Sequence, residues 1–131
     1  MKKYNNKNKI VLITGASGDI GIGLCNKYVD LNYIVIAHYN SNNKQLKQLK
    51  KEKGLNDNQF VLYKADYTEK EEVVSMFDFI KDSYNCLDIL INNAGVISQN
   101  LFDLEKGDIH ELKTILDINI VSQFLCGKLA C

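Results

Sequence analysis

Residues 9–21 read KIVLITGASGDIG: Lys9, the apolar run Ile10-Val11-Leu12-Ile13, then Thr14-Gly15-Ala16-Ser17-Gly18-Asp19-Ile20-Gly21. An unbroken aliphatic run of this length, without polar alternation, fits a strand buried on both faces, as in a parallel sheet covered by helices. Behind the glycine turn, Ile20, Leu24, Cys25, Tyr28 and Leu31 recur at helical spacing, so a helix is expected from Asp19 to Leu31. A strand, a glycine turn and a helix start aim free backbone N–H groups and the positive helix end at one point, which suits a pyrophosphate. Gly15 can take the positive φ of the turn, and Gly21 permits close approach of helix and nucleotide. Alone, such a turn is weak evidence, because a tight turn without ligand uses the same residues.

The remaining chain repeats the alternation. Tyr33 to Tyr39 reads as a second strand, and Ser41 or Asn42 can cap a helix that turns Leu46 and Leu49 inward and Lys44, Lys47, Lys50 and Lys51 outward. Phe60 to Tyr63 is a third strand closing at Ala65-Asp66. Thr68 and Glu71 have capping-box spacing at the head of a helix that runs to Tyr84 with Val73, Val74, Met76, Phe77 and Ile80 as its apolar stripe. Leu87 to Ile91 is a fourth strand and ends in Asn92-Asn93-Ala94-Gly95. Asp108 and Glu111 repeat the capping-box spacing before a last helix carrying Leu112, Ile115, Leu116, Ile120, Phe124 and Leu125. Strands alternating with helices require right-handed crossovers, which gives a doubly wound α/β parallel sheet in spatial order 3-2-1-4.

The 131 residues suit one domain, over 1–131, with a polar, flexible leader over 1–8. Sixteen basic against sixteen acidic residues give a formal charge of +0, so nucleic acid and anionic membranes are not expected partners. Every basic residue is a lysine, which leaves phosphate recognition to backbone amides and point charges. Cys25, Cys86, Cys126 and Cys131 form no CxxC pair and have no nearby histidine, so reduced thiols and no metal site are expected. The run Ile10 to Ile13 is too short for a signal-peptide core or a membrane span, and a cytoplasmic protein is expected.

TGASGDIG near the N-terminus, Asp66 after the third strand, NNAG after the fourth and Asn119 in the following helix together resemble the short-chain dehydrogenase/reductase family, most closely its ketoacyl-reductase-like members. The resemblance runs from Lys9 to Cys131 and implies a Rossmann-type fold that binds a nicotinamide dinucleotide. By this resemblance Thr14, Gly15, Ser17, Ile20 and Gly21 line the pyrophosphate and adenosine ribose, and Asp66 bonds the adenine amino group with Tyr67 beside it. Asn92, Ala94 and Gly95 pass close to the adenosine ribose, and Asn119 is the catalytic asparagine, holding a water on a proton relay. Asp19 replaces the family's middle glycine. Its carboxylate is well placed to cap the helix yet unfavourable beside a diphosphate, so weakened binding at worst is expected. At the end of the second strand, Tyr39, Asn40 and Ser41 offer no acid to hold a ribose 2′-hydroxyl and Lys44 follows, which leans toward NADP over NAD. His38 reads as a surface residue at the strand end.

The family's reaction needs a serine and a tyrosine and lysine spaced YxxxK. The tyrosines at 4, 28, 33, 39, 63, 67 and 84 all precede the helix of Asn119, and Tyr67 has Glu71 four residues on. The resulting expectation is the cofactor-binding half of an NAD(P)(H)-dependent oxidoreductase, truncated before its Ser/Tyr/Lys region. It would pass hydride between cofactor and a small carbonyl or alcohol substrate, with a homo-oligomer as the full-length form. The competing expectation is a catalytically silent module that binds a nucleotide or a full-length homologue. A truncated sheet would also leave an open edge and an uncovered apolar helix face, and hence associate.

Overall fold

In a computed structural model describing residues 9–98, 100, 103 and 105–130, the decisive run forms β1 (Ile10–Ile13), all four of whose residues are completely buried. The leader expected over residues 1–8 lies outside the described residues. β1 pairs in parallel with β2 (Ile34–Tyr39) on one side and β4 (Ile89–Ile91) on the other, and β2 pairs with β3 (Phe60–Lys64). The order is β3-β2-β1-β4, as the alternation of elements predicts. Val11 stands opposite both Val35 and Ile89, which puts the first strand in the middle of the sheet.

Because successive strand residues point to opposite faces, β1 feeds two cores. Val11 and Ile13 pack with Cys25, Val35, Leu46, Leu49 and Phe60 beneath α1 (Asp19–Asp30) and α2 (Lys44–Glu52). Ile10 and Leu12 pack with Ile36, Val73, Met76, Ile80 and Cys126 beneath α3 (Lys70–Tyr84) and the last helix. Each fully buried aliphatic side chain contributes about 1.5–3 kcal/mol, so this continuous run stabilises both layers at once.

Several local expectations are corrected. Gly18, not Asp19, is the N-cap of α1; Asp19 is its first helical residue, and no side chain caps the turn. Asn32 at φ 61° ends that helix, with Leu31 left half exposed. Asn42, not Ser41, receives the Lys44 N–H, at 3.0 Å. The Thr68/Glu71 capping box does not form, since α3 starts only at Lys70. Asp66 Oδ1 instead accepts from both the N–H and the hydroxyl of Thr68, at 2.8 and 2.7 Å, and Glu72 reaches back to the Asp66 N–H. An Asp two residues upstream offers Thr68 a closer partner than a helix turn does. Asp108 does cap α4 (Ile109–Leu116), accepting from His110 N–H at 3.0 Å, but Glu111 accepts from the Ser98 hydroxyl. The last helix is not continuous: a π-helical turn, Asp117–Val121, joins α4 to α5 (Ser122–Ala130). β2 and β4 begin one and two residues later than the apolar pattern implies, with the Ile10 N–H taken by the Asp88 carboxylate at 2.8 Å.

Candidate functional site

Beyond the C-terminal ends of β1, β2 and β4 lies a cleft of about 780 Å³, within the ordinary range for a small-molecule site. The turn and first residues of α1, from Gly15 through Gly21, form one wall. Asn93 to Ile97 form the opposite one, with Asn40 at the β2 end and the buried His38 and Tyr67 between.

Two glycines are required by this geometry. Gly15 has φ +60°, and a Cβ there would stand 2.7 Å from Ala94 Cα. A Cβ on Gly21 would stand 2.4 Å from the Gly15 carbonyl oxygen, so the helix start packs directly on the turn. With no side chain capping α1, its first N–H groups and positive end face the cleft.

Thr14 holds the two walls together. Its hydroxyl donates to Ile91 O at 3.3 Å and accepts from Asn93 N and Ala94 N, both at 3.0 Å. Asn93 returns two bonds, its carboxamide donating to the carbonyls of Thr14 and Gly15 at 3.0 Å each. Gln123 donates to Ala94 O, while Asn92 donates to Gln123 O, which ties α5 to the same segment. Asn119, in the π-helical turn, bonds both main-chain groups of Val96 through its carboxamide, accepting the N–H and donating to the carbonyl at 2.8 Å each.

His38 is not a surface residue. It is 3 % exposed, its Nδ1 accepts the Gly15 N–H at 3.1 Å, and its Nε2 donates to Ala65 O at 2.9 Å. Its ring stacks on Tyr67 at 4.2 Å, and Tyr67 in turn meets Cys126 Sγ through its hydroxyl at 3.3 Å. Burial lowers the His38 pKa below 6.5, against the smaller opposing pull of Ala65 O and Asp66. Burial also pushes the Tyr67 phenol up, with Cys126 adding to it, and raises the Cys25 thiol to about 12. The Tyr67 phenol and the Cys25 thiol are therefore protonated at neutral pH, while the His38 ring is neutral.

Of the sequence-predicted residues, Gly15, Ser17, Asp19, Ile20, Gly21, Asn40, Tyr67, Ala94 and Gly95 line the cleft. Thr14, Tyr39, Ser41, Asp66, Asn92 and Asn119 do not: Thr14, Asn92 and Asn119 brace its walls, and Asp66 organises the turn after β3. Gly18, Asn93, Val96, Ile97 and Ile118 line it without having been named as site residues, and His38 lines it although the sequence reading placed it on the surface. Of these, Gly18 and Asn93 carried a signal, as members of TGASGDIG and NNAG. Among the described residues no cluster of metal-ligating side chains occurs, and no helix is long and apolar enough to cross a membrane.

Comparison with known proteins agrees with this geometry. The family model for short chain dehydrogenases matches residues 9–131. A 3-oxoacyl-(acyl-carrier-protein) reductase of Buchnera aphidicola is 30% identical over 120 residues, covering 92% of this chain and 47% of the relative. A dehydrogenase/reductase SDR family protein 7-like of Dictyostelium discoideum is 31% identical over 133 residues, covering 94% and 40%. Among solved structures, a variant of a Serratia marcescens short-chain dehydrogenase/reductase superposes with a TM-score of 0.82 at 21% identity, covering 95% of this chain and 50% of that one. The chain thus spans about half the length of the curated relatives it matches.

Proposed function

This chain belongs to the short-chain dehydrogenase family, and from that premise we propose that it forms the nicotinamide-dinucleotide-binding half of an oxidoreductase. The cofactor, when bound, supplies the hydride that passes to or from a small carbonyl or alcohol substrate. The observation that carries the reading is the uncapped first turn of α1, opening between Ser17 and Gly21 onto the cleft. The residues fit the group: backbone amides and a helix N-terminus are suited to a diphosphate, and Gly15 and Gly21 let the turn pack against Ala94 and the helix start against the turn, which a Cβ at either would block.

Within this reading the diphosphate lies against Ser17 to Gly21, and the Asn93 to Ile97 segment supports the rest of the dinucleotide. Ile20, 72 % exposed, and Ile97, 92 % exposed, give the cleft an apolar rim that a bound ring system would cover. NADP(H) is preferred over NAD(H), because the β2 end presents the neutral Asn40 to the cleft and no carboxylate that would repel a 2′-phosphate. Asp66 keeps a role at the adenine through the turn it organises. Asn119 acts on the reaction side, held beside the cleft by its two side-chain bonds to the main chain of Val96. The buried free thiols Cys25 and Cys126 support a cytoplasmic setting. The exposed Ile109, Leu116, Ile120, Val121 and Phe124 form an apolar face that the remainder of a full-length form or a second copy in a homo-oligomer would cover.

Titrating the chain into NADPH and into NADH while following nicotinamide fluorescence tests the proposal. A saturable change is expected with both cofactors, at lower protein concentration for NADPH. No change with either one overturns it.

A further inference from the structure

We propose that His38 is a positioning residue for the dinucleotide: its neutral ring, by accepting the Gly15 N–H, fixes the glycine turn in the form that binds cofactor, and protonation releases the turn. The inference rests on the cofactor-binding reading above and assigns that site an acid-sensitive latch.

Both ring nitrogens are determined by their partners. The Gly15 amide is only a donor, so Nδ1, 3.1 Å away, accepts; the Ala65 carbonyl is only an acceptor, so Nε2, 2.9 Å away, carries the proton. One tautomer of the neutral imidazole satisfies both. A second proton on Nδ1 would face the Gly15 N–H donor to donor and place a charge in a side chain that is 3 % exposed.

The turn is held at two successive amides by one residue. The His38 side chain takes Gly15 N–H, and its carbonyl takes Ala16 N–H at 2.8 Å. Gly15 sits at φ +60° against Ala94, with its carbonyl bonded by Asn93 and by Gly18 N–H, so a shift at Gly15 is transmitted to both walls of the cleft. His38 lines that cleft itself, stacked on Tyr67.

The charged and titratable groups around the ring come from every neighbouring element. After β3, Asp66 favours the imidazolium and Tyr67 is a neutral phenol. Cys126 of α5 meets that phenol, Glu72 of α3 holds the Asp66 amide, and Asp19 of α1 lies across the same cleft. Burial outweighs Asp66, and the pKa of His38 is lowered from 6.5. Two pH windows follow. Since the folded pKa lies below the unfolded one, the unfolded chain binds the proton first, and stability falls as pH drops below about 6.5 toward the folded value. Cofactor affinity is held through that window and falls only below the folded pKa, where the native ring itself takes the proton.

The test combines NMR of the full chain with calorimetric titration of NADP and NAD between pH 7.5 and pH 4.5. The Gly15 amide resonance is expected to follow the ring resonances of His38 with one shared pKa below 6.5. Affinity is expected to fall about tenfold per pH unit below that value. His38→Asn, whose Oδ1 takes the place of Nδ1, is expected to bind within about threefold of wild type at pH 7.5 and to lose the acid limb. His38→Gln, which reaches only toward Ala65, is expected to bind more than tenfold more weakly at every pH. A Gly15 amide that ignores the His38 titration overturns the inference, as does an acid limb in His38→Asn equal to that of wild type. Absence of binding by wild type at pH 7.5 overturns the proposed function instead, and the Gly15 titration then decides the latch by itself.

Discussion

The two sides of the sheet differ in how far they are finished. On the β1–β2 side, Ile10 to Ile13 and Val35 to Ala37 are completely buried, and the glycine turn is clamped by Thr14, His38 and Asn93. On the β4 side, all three strand residues are only half buried and α4 buries none of its residues. Ile109 is 67 % exposed and Phe124 is 75 % exposed. The cleft therefore draws its geometry from contacts made entirely within this chain, while the α4–α5 face leaves apolar surface unspent. The cleft has a wall on each side, and it is expected to form in the isolated chain because Thr14, His38 and Asn93 tie those walls together; this asymmetry can be attacked one residue at a time.

Gly21→Ala is the most severe test. The new Cβ would meet the Gly15 carbonyl at 2.4 Å and Ala16 Cα at 2.6 Å, both backbone, so the helix start must move. A loss of about 3 kcal/mol or more in urea denaturation is expected, together with loss of cofactor binding. Thr14→Val keeps the shape but removes the oxygen that receives Asn93 N and Ala94 N. Leaving those amides unsatisfied is expected to cost about 2 kcal/mol by the same measurement. Gly23→Ala reverses the sign: a Cβ there meets nothing within 4 Å, and the residue lies in the interior of α1. A gain of about 0.5–1 kcal/mol is expected, with binding unchanged. The smallest effect belongs to the unfinished face, where Phe124→Ser is expected to change stability by less than about 0.5 kcal/mol. The same variant is expected to reduce association in sedimentation, because it removes the most exposed aromatic side chain of α5.

What the sequence discloses divides along the same physical line. Apolar runs and helical spacing identify elements because burial acts on residue type, and the strand order follows from their alternation. Gly15 and Gly21 are legible because backbone geometry excludes other residues there. His38 is not legible: its partners are the backbone groups of Gly15 and Ala65, which carry no side-chain signature, and His-Tyr-Asn-Ser looks like any polar strand end. The same holds for the Asp66–Thr68 turn, which displaced the capping box, and for the π-helical turn, which leaves the apolar spacing of the last helix nearly unchanged. Thr14 and Asn93 occupy an intermediate place: the motif marks them, but only the structure shows that they join the walls of the cleft.

The most direct test of the central claim is chemical-shift mapping of the backbone amides of this chain during titration with NADP. The account predicts shifts confined to the cleft, strongest at Ser17 to Gly21 and Ala94 to Ile97, with Ile109 to Leu116 unmoved. Shifts concentrated on α4 and α5, or none at saturating cofactor, would contradict it.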